Sequence, residues 1–202
     1  MDAKTRSKAS FDRQAGTYDE SDYSRYPREC YPHVLNAIGS VPFGRVLDLG
    51  CGTGAILEQI GKRSGAAELF GLDLSEKMIA QAARRLGERA SLSVGDAEAL
   101  PYEDERFDLV CCVESFHHYP DCAKALSEVR RVLKPGGVFL LCDTWARTPA
   151  RQIMNFFIRF SDDGDVRIYS RREIGELLTG AGLRQQSWDL ITPHAYLSMS
   201  QK

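Results

Sequence analysis

The residues able to do chemistry gather first around one turn. Arg45-Val46-Leu47-Asp48-Leu49 is a short apolar run that feeds straight into Gly50-Cys51-Gly52-Thr53-Gly54, after which a helix can start. Glycines without a Cβ let the backbone turn sharply and let a ligand lie against bare amides. The helix behind them presents unpaired N–H groups and the positive end of its dipole. This is a ligand-binding turn. Gly50-x-Gly52-x-x-Ala55 also satisfies the relaxed dinucleotide fingerprint, so the turn alone does not select the ligand.

Further signals close each succeeding strand-like run. Leu69-Phe70-Gly71-Leu72-Asp73 ends in an acid about twenty residues past the glycines, where an ionised carboxylate can accept from both hydroxyls of a ribose. Leu92 to Ala97 ends in Gly95-Asp96-Ala97. Phe107 to Glu114 leads into Ser115-Phe116-His117-His118, and Leu133-Lys134-Pro135-Gly136-Gly137 follows. In order and spacing these runs resemble the class I S-adenosylmethionine (SAM) dependent methyltransferases of type 11. The likeness is to the small-molecule branch typified by the ubiquinone and menaquinone biosynthesis enzymes, and it runs from about Phe11 to the C-terminus.

The resemblance implies a Rossmann-like doubly wound α/β sheet of seven strands, mostly parallel with an antiparallel C-terminal strand. It implies SAM as cofactor, S-adenosylhomocysteine as product and a small-molecule methyl acceptor as partner. Gly50, Gly52 and Gly54 would run along the homocysteine part, and Asp48 would hold the turn or meet the ammonium group. Asp73 would take the ribose, Leu74 and Met78 would flank the adenine, and Asp96 would accept from its amino group beside the Ala97 N–H. Glu114 or Ser115 would line the cofactor beside the methyl group. Each acid also has a plainer reading: Asp73 as a helix cap in rivalry with Ser75, Asp96 as a turn residue, Glu114 as a solvated strand end.

A methyl on a sulfonium already has an activated leaving group, so alignment and water exclusion suffice and a dedicated catalytic side chain need not show in the sequence. His117 and His118 are the candidates for a general base, with packing beneath the pocket as the alternative. Adjacent histidines seldom converge on one metal, the sequence offers no third ligand at useful spacing, and no metal is expected. The acceptor atom stays open. A SAM-binding protein without turnover and an NAD-dependent oxidoreductase are the competing functions.

A net charge of -2 gives no broad basic field, so nucleic acid and anionic membrane are disfavoured as main partners. No apolar run approaches membrane-spanning length and the chain opens on charged residues, which predicts a soluble cytoplasmic protein. Cys111, Cys112 and Cys142 lie in apolar runs and read as small hydrophobes. With 202 residues, one domain over 1–202 is expected, as monomer or homodimer.

The elements that must position these residues alternate. Strands are predicted at Arg45 to Leu49, Ala67 to Leu72, Ala90 to Val94, Phe107 to Val113 and Val138 to Cys142, with an antiparallel pair at Leu183 to Ile191 and His194 to Met199. Helices are predicted after the N-caps Ser75 and Asp121, and over Arg171 to Ala181 behind the capping-box spacing Ser170-x-x-Glu173. Two regions lie outside this alternation. The lead-in, 7–40, carries Tyr18, Tyr23, Arg25, Tyr26 and Arg28 and is expected to close over the cofactor as a lid, with an arginine on the methionine carboxylate and a tyrosine shielding the sulfonium; packing of the first helix onto the sheet by these tyrosines is the alternative. The insertion, 144–169, carries Ile153, Met154, Phe156, Phe157 and Phe160 and is expected to cap the substrate, with a core helix or a dimer face as alternatives.

Overall fold

Central strands of a parallel sheet are covered on both faces, so their sequences run apolar without alternation. Arg45–Leu49 (β1) obeys this and pairs in parallel with Glu68–Asp73 (β2) on one side and Phe107–Val113 (β4) on the other. The sheet has the order β3-β2-β1-β4-β5-β7-β6, where β3 is Ala90–Val94, β5 Leu133–Thr144, β6 Arg184–Thr192 and β7 Ala195–Gln201. β7 runs antiparallel to both β5 and β6. A computed structural model provides these coordinates and describes residues 2–158, 161 and 164–202.

The strand order reverses between β1 and β4, and their carboxyl ends part there to leave a crevice. Helices cover both faces. Arg25–Gly39 (α2), Ala55–Arg63 (α3) and Glu76–Leu86 (α4) bury Val34, Leu35, Ile56, Ile60, Ala82 and Leu86 against Val46, Leu69, Leu109 and Leu140. On the other face Cys122–Val132 (α5) and Arg171–Gly180 (α7) bury Leu126, Val129, Ile174 and Leu178 against Leu47, Phe70, Val110 and Phe139. Each such aliphatic side chain contributes about 1.5–3 kcal/mol on leaving water.

The caps are those the sequence predicts. Ser75 accepts from Met78 N at 3.1 Å, Asp121 from Lys124 N at 3.0 Å, and Ser170 and Glu173 form the capping box. Three elements differ from expectation. The chain is helical already at Ala3–Gln14 (α1), ahead of the lead-in's expected start. Leu133 pairs with Phe107, so β5 absorbs Lys134-Pro135-Gly136-Gly137 through a shift in register. In the insertion, Ala150–Ile158 (α6) buries no residue, which removes the core-helix alternative. Ile153, Met154, Phe156 and Phe157 are 56, 43, 53 and 61% exposed, and Phe160 lies outside the described residues.

All six cysteines are free, and Cys111, Cys112 and Cys142 are buried in the strands. No helix among the described residues is long and apolar enough to cross a membrane.

Candidate active site

The glycine turn closes the end of β1 by donating Gly50 N and Cys51 N to Leu72 O of β2, at 2.8 and 3.0 Å. The three glycines do different things. A Cβ on Gly50 would sit 2.0 Å from Ser115 Oγ, so this position lets the turn touch the loop after β4. A Cβ on Gly54 would meet Leu86 Cδ1 at 2.8 Å, which seats the start of α3 against α4; Gly54 is a packing residue and does not line the cavity. Gly52 has φ +52°, a left-handed conformation that favours glycine, and nothing lies within 4 Å of where its Cβ would be. That open side faces a cavity of about 980 Å³, part of it open to solvent.

The strand-end acids converge on this cavity. Asp73 accepts from Gly52 N and from Ser75 N, both at 2.8 Å, which ties the glycine turn to the start of α4. Ser75 is the helix cap, so the capping role does not fall to Asp73. Burial pushes the Asp73 carboxyl up from its ordinary value, against the pull of those backbone donors. Leu74, Met78, Asp96, Ala97, Glu114 and Ser115 all line the same space. Asp96 makes a local turn, its Oδ1 accepting from Glu98 N at 2.9 Å, while its Oδ2 accepts from Lys4 Nζ at 2.6 Å.

Asp48 is 1% exposed and reaches the cavity from β1. Its Oδ1 accepts from the Cys111 thiol at 3.6 Å, and its Oδ2 has no hydrogen-bond partner. Burial, reinforced by the charge of Asp73, raises this carboxyl to about 7. An orphaned buried carboxylate oxygen facing a cavity is complementary to an ammonium group there.

Of the lead-in residues singled out from the sequence, Tyr18 lines this cavity and Arg25, Tyr26 and Arg28 do not. Lys4, Ser7, Lys8 and Phe11, spaced along one face of α1, line the cavity together with Tyr18, Pro27 and Tyr31. Arg25 instead pairs with Glu29 at 3.1 Å, and Arg28 donates to Asp19 O. The residues missed by sequence reasoning are Lys4, Lys8, Asp12, Asp19, Thr53 and Arg85. Asp12 accepts from Ser75 Oγ at 2.6 Å. Asp19 accepts from Thr53 Oγ1 at 2.7 Å and from Arg85 at 2.5 Å, and Arg85 also donates to Thr53 O at 2.8 Å. The helical spacing 4, 7/8, 11 is the one sequence signal that could have found the α1 face.

A second cavity of about 730 Å³ abuts the first. Phe11, Tyr18, Pro27, Glu114 and His118 line both, while Tyr23, Tyr26, His117, Thr144 and Asp165 line the second alone. Residues 47–141 match the methyltransferase domain family. The malonyl-[acyl-carrier protein] O-methyltransferase of Geobacter sulfurreducens is 31% identical over 184 residues, 86% of this chain and 68% of that one. The chain belongs to the class I SAM-dependent methyltransferases.

The chain is also 39% identical over 131 residues to the fatty-acid O-methyltransferase of Mycolicibacterium smegmatis, a match over 64% of this chain and 47% of that protein. The chain thus spans less than half the length of that relative. In fold it is similar to a chain of the solved complex of the Haloferax volcanii Trm112 methyltransferase activator, with TM-score 0.81 and 23% identity over 95% of this chain and 96% of that one.

Glu114 sits at a left-handed φ of +50° at the end of β4. It accepts from Thr144 Oγ1 at 2.6 Å and from the Cys30 thiol at 3.7 Å. Burial and the charge of Asp143 raise its carboxyl to about 7. His117 Nδ1 lies 2.5 Å from Asp143 Oδ1. Burial opposes charge on this ring, but Asp143, Asp165 and Glu114 outweigh it and hold the imidazole at about 9. His118, buried and beside His117, is pushed well below its ordinary value. The apolar residues of α6 line neither cavity; the insertion brings Thr144 and Asp165 to the second, and Asp165 lies 3.1 Å from His118 Nδ1.

Proposed function

We propose that the methyltransferase binds SAM in the first cavity and moves its methyl group to an oxygen of a small-molecule acceptor held in the second. The observation that carries this reading is the shared wall of Phe11, Tyr18, Pro27, Glu114 and His118, which sets two cavities side by side at the strand-order reversal. The residues fit the cofactor: the unpartnered Asp48 Oδ2 suits its ammonium, Gly52 leaves room against the backbone, and Asp73 has acceptor capacity for a ribose. Bound SAM supplies an electrophilic methyl group. Asp96 and the Ala97 N–H would meet the adenine, with Leu74 and Met78 on its faces.

The chain's own contribution is alignment and exclusion of water. Lys4 and Phe11 of α1, with Tyr18, cover the cavity, and the Asp19, Thr53 and Arg85 network latches that cover to the glycine turn. Oxygen as the acceptor atom is supported by the names of the two relatives, both O-methyltransferases. Residues 1–202 would act as one methyl-transfer unit.

The test has two stages. Calorimetry with SAM, S-adenosylhomocysteine and NAD should give saturable binding of the first two and none of NAD; binding of NAD alone would overturn the cofactor assignment. Methyl-labelled SAM is then incubated with a panel of small carboxylic acids, phenols, amines and carbon nucleophiles. Label should appear in esters or ethers. Tight SAM binding with no turnover across the panel would favour a regulatory SAM-binding protein instead.

A further inference from the structure

The sequence pairs His117 with His118 and offers no third ligand at useful spacing, yet the fold supplies one from 47 residues downstream of His118. His118 Nδ1 lies 3.1 Å and His117 Nε2 3.8 Å from the same oxygen, Asp165 Oδ1. One donor atom from each of the three residues lies within 4.8 Å of the others. Donors at 2.0–2.2 Å from a common ion stand about 3.0–3.5 Å apart, so a small side-chain shift closes this set on a cation. All three residues line the second cavity.

We propose that His117, His118 and Asp165 form a binding site for one divalent first-row transition-metal ion on the wall of the second cavity. Two imidazoles and one carboxylate suit zinc, iron or nickel and disfavour magnesium and calcium, which prefer oxygen donors throughout. A second, independent feature points the same way. Asp143 is 1% exposed, does not line the cavity, and holds His117 Nδ1 at 2.5 Å, which leaves Nε2 directed at Asp165. A carboxylate fixing the remote nitrogen of a ligating imidazole is the usual support behind such ligands. Phe11 packs edge-on against His118, with ring centroids 5.1 Å apart, so the lid helix also braces the site. With three protein ligands the ion keeps an open position toward the cavity. There it would hold an acceptor oxygen, a role that rests on the acceptor occupying the second cavity as proposed above.

Zinc chloride titrated into the chelator-treated full chain, followed by calorimetry, should show one ion bound per chain. His118→Gln and Asp165→Asn should each weaken binding more than about ten-fold, and Asp143→Asn by about 10–100-fold through loss of imidazole orientation. A His33→Ala/His194→Ala double variant, which removes the other two histidines, should bind as the unaltered chain does. Cobalt(II) should give visible absorption bands that His118→Gln abolishes. Circular dichroism and thermal unfolding report on folding of each variant. A chain that binds S-adenosylhomocysteine but not zinc, or whose zinc affinity survives both His118→Gln and Asp165→Asn, overturns the metal site alone. Zinc binding without S-adenosylhomocysteine binding would uphold the metal site and strike at the cofactor assignment instead.

Discussion

The ammonium of Lys4 lies 2.6 Å from the carboxylate of Asp96, joining the first helix of the chain to the residue that closes the third strand. Lys4 also reaches Glu98 at 2.5 Å. Both residues line the first cavity, although they are 92 positions apart. Partly exposed ion pairs hold elements together only weakly, so this contact can open and re-form.

Lid closure should therefore follow cofactor. Saturating S-adenosylhomocysteine is expected to slow amide exchange in Ala3–Gln14 and in residues 18–24 more than in β1 and β4, since gating segments are drawn from the less stable parts of a fold. Identical exchange with and without the ligand would make the lead-in a fixed structural element. Asp19→Asn, which weakens the latch to Arg85, should speed S-adenosylhomocysteine dissociation in stopped flow.

Asp73→Ala removes a carboxylate that accepts from two backbone amides and faces the cavity. Cofactor affinity should fall by roughly 1–3 kcal/mol, the range for losing charge-assisted hydrogen bonds. Asp73→Asn keeps one acceptor and should lose less. Calorimetry on both variants checks the order; unchanged affinity in folded Asp73→Ala would leave Asp73 holding the turn and nothing more.

Asp48 should make stability and cofactor binding respond oppositely to pH. Its carboxyl ionises near 3.9 in the unfolded chain and at about 7 in the fold. As pH rises between those values the unfolded chain sheds the proton first, so this residue's contribution to stability is lost from about pH 4 to about pH 7 and is flat above. The slope is at most about 1.4 kcal/mol per pH unit. Asp48→Asn should lack it, and denaturant unfolding at pH 4.5 and pH 8 should show the variant gaining on the native chain at the higher pH. SAM affinity should rise from pH 6 to pH 8 in the native chain, as the carboxylate forms, and stay level in Asp48→Asn. Parallel pH profiles would remove Asp48 from the ammonium site.

Gly54→Ala and Gly52→Ala should separate packing from ligand contact. Both positions have positive φ, which costs about 1–2 kcal/mol for alanine. At Gly54 the new methyl also meets Leu86, adding about 1–3 kcal/mol of overpacking, whereas at Gly52 it enters open cavity. Thermal unfolding should show the larger drop for Gly54→Ala, and calorimetry the larger loss of cofactor affinity for Gly52→Ala. The reverse order would reassign the two glycines.

What the sequence determined by itself was local. Apolar runs bounded by Gly, Pro and capping residues define β1, α4, α5 and α7 because strand burial and helix caps depend on a few neighbouring residues. The acids Asp48, Asp73, Asp96 and Glu114 were legible for the same reason, since each ends a strand and parallel strands end on one side of the sheet. Packing decided the rest. Lys4 and Lys8 serve the cavity, while Arg25 and Arg28 do not, because α1 folds back across the strand ends; the cations of 25–28 find partners in Glu29 and Asp19. The apolar side chains of α6 face outward, and Asp165 reaches His118 instead. No spacing rule couples residues 47 apart or 92 apart. Those meetings depend on how helices and loops cross the finished sheet, which only the tertiary structure decides.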